Sequence, residues 1–411
     1  MSGVSFAAGL EKDVLWSGKY VGSGGAAVSN ASGAEALYYN PAGIGLDKAG
    51  AGSVSVNVSP TFAQYSGPIT TANTSLTSNN KLLPVFGALA SYNLTKDFAL
   101  GIGAYSAGGT RAEYDNVQFG SYSYTPNIRN DLTLTEFALG GSYQLMPGFS
   151  IGAAWRILMV RGEVASASAS SALGAGSYIA ADFDNLKQTK YNGIRLGAQY
   201  KSEDKRWGVG ASFRNAVGFD AAGTGTGELL YATNGSSTPL VGSAATVSAV
   251  FPWQLGLGGN AELMSNFRAL FDYVYSHYQT DQYLGVAGTV TLPASLGGSV
   301  QSLPSSFLNW SNMTNIRLGF EYTGLYNWAL RAGYVYTSQV TPDKYATAAQ
   351  ASPANGNTIT LGAGTWMAAK TVELNGALEY SFAKGTDTTA PVAGVYKTRA
   401  LGLHLGTTYN F

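Results

Sequence analysis

Beyond Ala51 the chain alternates apolar and polar residues in blocks near 51–59, 84–94, 97–107, 132–145, 148–163, 188–201, 205–217, 245–261, 267–280, 313–323, 326–338, 361–370, 373–384 and 397–411. A period of two is a strand period, because successive side chains of a strand point to opposite faces. In the ninth block Phe267, Ala269, Phe271, Tyr273 and Tyr275 share one face, and Arg268, Asp272 and Ser276 share the other. The same split sets Ile194, Leu196, Ala198 and Tyr200 against Arg195 and Gln199, then Ile316, Leu318, Phe320 and Tyr322 against Arg317 and Glu321. Tight connections at Asn93–Lys96, Met146-Pro147, Ser202–Asp204, Glu262–Ser265, Thr323–Leu325 and Lys370–Val372 alternate with long ones at 60–83, 108–131, 164–187, 218–244, 281–312, 339–360 and 385–396. An even number of strands with short turns at one end and long loops at the other predicts an all-β antiparallel barrel of about fourteen strands.

Composition decides which way the faces point. Charged residues are 12% of the 411, against roughly 25% in ordinary soluble domains, while Gly (53) and Tyr (26) are heavily used. That is too little charge for a soluble surface of this size, so the apolar faces are expected to meet lipid and the polar faces a lumen. No run approaches the ~18 apolar residues of a membrane helix, and a closed barrel is the other structure that satisfies its backbone in lipid. Trp207, Tyr326, Trp328 and Tyr409 near strand ends fit interfacial girdles. Net charge is zero with Lys and Arg scattered, which leaves no footprint for nucleic acid. Without cysteine there is no disulfide or thiolate site, and two histidines point to no metal or cofactor; His277 and Ser276, as strand neighbours, face opposite ways, which argues against a hydrolase. Met1-Ser2-Gly3 opens no signal-peptide pattern, and a mature, exported chain is expected.

Before the first block, Ser17–Leu46 is rich in Gly and Ala and ends at a proline; it reads as a compact insert whose helix, within Gly33–Tyr39, stops before Asn40-Pro41. Its Gly22, Gly24, Gly25, Ala26, Ala27 and Ala31, followed by Asn40-Pro41-Ala42-Gly43, resemble the N-terminal hatch of the FadL/TodX family of outer-membrane hydrophobic-compound transporters. About fifteen residues precede the matching block, and Asn30 stands where the family often has an acidic residue. The resemblance implies a 14-stranded transmembrane barrel (47–411) plugged from the periplasmic side by residues 1–46, sitting in a Gram-negative outer membrane. It implies uptake of hydrophobic molecules, fatty-acid-like or aromatic, with release sideways or past a displaced hatch. The rival is a structural, lipid-binding or assembly-forming barrel that transports nothing.

Several groups are candidates for parts of that function. Arg156, Arg195, Arg214, Arg268, Arg317 and Arg331 face the lumen with Glu136, Asp272, Glu321, Glu373 and Glu379. They form either a salt-bridge network that pins the hatch or a site where one or two arginines hold a substrate carboxylate. Gly101, Gly103, Gly108 and Gly109 could relax the third strand, which in the family is interrupted to give a sideways exit into the membrane. The apolar loop 281–312 reads as a lid or a capture surface, and the amphipathic residues 1–16 as an extension at the barrel mouth or a contact with lipid. The final strand, with His404 facing the lumen, ends in Phe411 and resembles the signal read by the barrel-assembly machinery. Small outward residues in the first three strands (Val54, Val56, Val58, Ala88, Ala90, Ala104) predict contact with either a second subunit of a homo-oligomer or the sideways exit.

Overall fold

The computed structural model describes residues 15–45, 48–70, 72–119, 125–169, 177–231, 236–278, 285–303, 309–346, 348, 352–388 and 392–411. The amphipathic stretch up to residue 14, Leu46 at the expected hatch boundary, and Tyr283, Leu284, Phe307 and Leu308 of the apolar loop lie outside the described residues.

Fourteen strands close into one barrel. They are β1 (Gly52–Gly67), β2 (Lys81–Asn93), β3 (Phe98–Tyr114), β4 (Ile128–Met146), β5 (Phe149–Ala169), β6 (Tyr178–Lys201) and β7 (Trp207–Arg214, continuing as Val217–Leu230). They go on as β8 (Gly242–Phe251, continuing as Trp253–Met264), β9 (Phe267–His277, extended by Gly285–Thr291), β10 (Val300–Leu303 and Met313–Leu325), β11 (Trp328–Thr337), β12 (Gly356–Met367), β13 (Val372–Asp387) and β14 (Gly394–Asn410). Each strand pairs antiparallel with the next, and β1 closes the ring on β14 from Ser53↔Asn410 to Ser66↔Lys397. The short turns lie within a few residues of the expected tight connections, those expected at Glu262–Ser265 and Thr323–Leu325 falling at 265–266 and 326–327 because the strands run on to Met264 and Leu325, and Gly148, Asn266 and Asn327 adopt the positive φ (78°, 63° and 55°) that such reversals need.

The facing is as the alternation predicts. Phe271, Tyr273, Leu318, Phe320, Trp328, Leu401, Leu403 and Leu405 are exposed on the outer wall, while Arg195, Asp272, Arg317, Arg331 and His404 are buried inside. Toward the long-loop end the strands run well past their expected ends: β6 begins at Tyr178 instead of 188, and β1 reaches Gly67. There the alternation inverts. In β5 Trp155 points out and Arg156 in, but further along Leu158, Val160 and Val164 are buried inside while Arg161 and Glu163 face out. Phe183 and Leu186 of β6, Phe219 and Ala221 of β7, and Val247 of β8 join them in one apolar core that includes Val290, Leu303 and Trp310 from the expected apolar loop. The interruptions at Asn215-Ala216 and at Pro252, which has no N–H for a ladder, sit side by side where the phase changes.

Candidate functional site

The lumen is filled at the turn end by residues 15–45, nearly all of them buried. Ser17 caps helix α1 (Gly18–Gly22), its hydroxyl accepting from the Lys19 and Tyr20 amides at 3.2 Å. A 3₁₀ turn (Gly33–Glu35) and helix α2 (Ala36–Tyr39) follow, and the helix stops at extended Asn40 (φ −159°), after which Pro41–Gly43 forms a second 3₁₀ turn. Trp16, Tyr20, Tyr38, Tyr39 and Tyr105 stack and tilt against one another at centroid distances of 4.8–6.0 Å.

The wall approaches this insert so closely that glycine is the residue that fits. A Cβ on Gly197 would lie 1.9 Å from Asn40 Oδ1, one on Gly333 2.1 Å from the Gly24 amide, one on Gly210 2.2 Å from the Val28 carbonyl and one on Gly152 2.3 Å from Pro41. Gly24 and Gly25 themselves turn at φ 69° and 70°. Asn40 carries the fit further: its Nδ2 donates to the carbonyls of Val28 (2.7 Å), Ala198 and Ala211 (3.1 Å each), joining the hatch to β6 and β7.

Charged groups complete the seating. Asp272 Oδ2 accepts from the amides of Ala27 (2.7 Å) and Val28 (3.0 Å), and Arg317, opposite it in register, donates to the Gly25 carbonyl at 3.1 Å. Arg195 donates to the Tyr38 carbonyl and lies over that ring at 4.9 Å; Arg156 pairs with Glu136 at 2.6 Å. Arg214 covers Phe251 at 4.0 Å, Arg268 donates to Asn260, and Arg331 bonds Glu321 at 2.6 Å and Asn375 at 2.8 Å. Two anchors were not singled out in the sequence. Glu35 accepts from Ser17, Ser55 and Asn57, and Lys19 reaches Glu373 at 3.1 Å. Burial disfavours the Lys19 ammonium, but the Glu373 carboxylate beside it prevails and lifts its pKa above the ordinary lysine value. The signal for Glu35 was present in β1, where Ser53, Ser55, Asn57 and Ser59 take the alternate, inward positions and are all buried.

On the loop side of the hatch lies a cavity of about 200 Å³, lined by Leu15, Leu83, Val85, Leu132, Val340 and Ala400 among others, and bounded by β1–β4 and β11–β14. It abuts a gap in the wall. β2 and β3 pair only from Gly87↔Tyr105 to Asn93↔Ala99. Above that, β2 stays with β1 to Ala63↔Lys81, while β3 bulges between Ser106 and Gly108 and stays with β4 to Tyr114↔Ile128. The Ser106 hydroxyl accepts the Phe86 amide at 3.1 Å, and Pro84 has no N–H to offer. Near the top the two strands meet again through side chains and the loop: Arg111 donates to the Leu82 carbonyl (3.1 Å), Asn79 N to the Glu113 carbonyl (2.8 Å), and Lys81 pairs with Glu113 (2.7 Å). Of the four glycines singled out, Gly108 and Gly109 (φ 153°) line the cavity at this gap, whereas Gly101 and Gly103 sit in the continuous ladder below it. None of the six arginines lines this cavity. Arg195, Arg214 and Arg317 border a 30 Å³ void against the hatch, and Arg268 and Arg331 open on a polar vestibule of about 720 Å³ at the turn end.

A family model for outer-membrane transport proteins (OMPP1/FadL/TodX) matches residues 5–411. The chain belongs to that family. This FadL/TodX-family barrel is thus an outer-membrane channel for hydrophobic compounds, not an enzyme, and its place is the bacterial outer membrane. It is similar in fold to the Ralstonia pickettii toluene transporter TbuX (18% identity, TM-score 0.72, covering 98% of this chain and 99% of that one). It is similar as well to a Pseudomonas aeruginosa FadL homologue (16%, 0.71, 98% and 99%) and to the monoaromatic hydrocarbon channel CymD (16%, 0.73, 96% and 97%). No curated protein matches it.

Proposed function

We propose that this protein takes up small hydrophobic molecules, aromatic or fatty-acid-like, by capture at the loop end, transfer into the cavity above the hatch, and release sideways through the gap between β2 and β3. The observation that carries this reading is the missing ladder above Gly87↔Tyr105, because a strand pair without backbone ladder bonds is a place where a wall can part at lower cost, and here it meets the cavity. A hatch wedged among wall glycines and held by Asn40, Asp272 and Glu35 favours this route over movement of the plug. The relatives described as toluene or monoaromatic hydrocarbon channels support an aromatic substrate. The small outward side chains of Ala88, Ala90 and Ala104 flank the gap, which favours exit to lipid over a subunit contact as the reason for that smooth wall, and argues against reading the barrel as an open, oligomeric porin. The strand ending in Phe411 would be the part read by the assembly machinery during insertion.

The chain has no cysteine, so a Pro84→Cys, Gly108→Cys pair bridged by a short bismaleimide offers a direct test. Bridging should stop delivery of toluene or oleate into proteoliposomes, and each single variant treated alike should still deliver. Undiminished delivery by the bridged protein would rule out the sideways route.

A further inference from the structure

On the outer wall of β3–β6, above the membrane zone, charged side chains are exposed and the acids among them are taken. Arg111 Nε bonds Asp131 at 2.9 Å, and Arg129 gathers Glu163 (3.2 Å), Asp182 (2.7 Å) and Asp184 (3.3 Å). On β7 next door, Asp220 accepts the Ser248 hydroxyl at 2.6 Å. Two exposed cations are left over. Arg161 of β5 and Lys187 of β6 lie directly opposite each other in register, and among the described residues neither has a carboxylate partner. Their outer neighbours in register, Thr133 of β4 and Ala222 of β7, carry no charge.

Their height places them among lipid head groups. Phe149 and Tyr200 pair at the turn end of the same two strands. Arg161 and Lys187 stand about a dozen residues further along, and a tilted strand crosses the hydrocarbon in about 9–11. Below them the wall is apolar, with Trp155, Tyr191 and Ile194 exposed. Directly opposite side chains of an antiparallel pair have Cβ atoms roughly 5 Å apart, and like charges so placed repel. An anion held between them reverses that repulsion. Phosphate suits the pair better than a carboxylate, because the arginine fork takes two of its oxygens and the lysine ammonium, a point charge, takes a third. A free ion would gain only these exposed contacts, whereas a lipid adds its chains against the apolar wall.

We propose that Arg161 and Lys187 form a docking site for a phosphorylated lipid of the outer leaflet, its phosphate bracketed by the two cations and its acyl chains laid along Trp155, Tyr191 and Ile194. The site goes beyond the transport reading and does not depend on it.

The test titrates the detergent-solubilised full chain with bisphosphorylated lipid A and follows binding by thermophoresis. Each single change, Arg161→Gln or Lys187→Gln, should weaken binding about fivefold and the two together about thirtyfold, the effect of removing one and then two charges near an anionic lipid. The exchange Arg161→Lys with Lys187→Arg, which keeps both charges, should stay close to the wild type. Arg111→Gln with Asp131→Asn, which removes a matched pair from the same wall, should leave affinity unchanged. Folding of each variant is checked by heat-modifiable migration in electrophoresis. Lipid A stripped of its phosphates should bind the wild type about as weakly as the bisphosphorylated lipid binds the double glutamine variant, a comparison that decides the matter even where that variant fails to fold. Equal binding of the phosphorylated and stripped lipids by the wild type, or wild-type affinity in the folded double variant, overturns the proposal. Displacement of the lipid by excess inorganic phosphate would make this a site for a free anion and overturn the lipid assignment.

Discussion

Asn40 shows how much of the hatch a single residue holds. Its amide bridges hatch and wall through three carbonyls, and its Oδ1 accepts the Ala42 amide at 3.1 Å, so every polar atom of a buried side chain is used. Asn40→Ala would leave those groups buried and unmatched, at roughly 1–3 kcal/mol for the loss. The glycines on the wall side should be as sensitive, for a different reason. Gly333→Ala puts a methyl into the Gly24 amide, and overpacking of this kind costs about 1–3 kcal/mol. Both are expected to lower the urea midpoint of the barrel in lipid vesicles, whereas Gly242→Ala, which meets nothing within 4 Å, should leave it in place. A Gly333→Ala protein with wild-type stability would show that the hatch is looser than its geometry. At this scale the sequence was only partly legible. Alternation put Arg195, Arg317 and Asp272 in the lumen, but which backbone groups they meet depends on where a nonrepetitive insert folds, and no period encodes that. Glu35 went unremarked because one acid in a small-residue stretch carries no pattern of its own.

Among the elements, the strands of the membrane zone were readable because lipid outside and polar lumen inside enforce one phase of alternation over the whole height. Beyond that zone both constraints lapse. Water lies outside and an apolar core inside, so Lys187 and Asp220 face out where Ile194 and Phe213 did lower down, and the reversal made true strand look like loop. The gap between β2 and β3 was signalled by Gly108 and Gly109 but not by Gly101 and Gly103, since glycine in a wall serves close packing as readily as interruption. Gly103, where a Cβ would meet Leu89 at 2.7 Å, is of the packing kind. The difference predicts separate phenotypes. Gly109→Val asks a β-branched residue to adopt φ 153° and should straighten the bulge, reducing delivery of hydrophobic ligand with the barrel intact. Gly103→Val should chiefly destabilise. If vesicle delivery and urea midpoint respond alike in the two variants, the distinction between them fails.

For the whole molecule, the decisive relation is between a ring of strands that closes on itself and a plug that contributes no strand to it. All ladder bonds of the barrel run between β1–β14, so deletion of residues 15–45 removes no strand pairing, and the chain should still insert and migrate as a folded barrel. What changes is the lumen: Asp272, Arg317, Arg195 and the Ser55-Asn57 pair lose their hatch partners and become the lining of a pore. Charged groups in a hydrated pore carry little of the desolvation cost they bear when buried, so the empty barrel tolerates them, with some loss of stability because the aromatic cluster around Trp16 goes with the hatch. Fourteen strands lie between the filled barrels of eight and the aqueous porins of sixteen or more, wide enough for ions once the plug is gone. Single-channel conductance in planar bilayers should therefore rise from near closed to a steady open level, with a stability loss read in the same urea titration. A folded deletion that stays closed would place the seal elsewhere, in the apolar core formed by Phe183, Phe219, Val247 and Trp310 at the loop end. In that case the conductance should appear only when that core is opened as well, for example by Phe219→Asp in the deleted background.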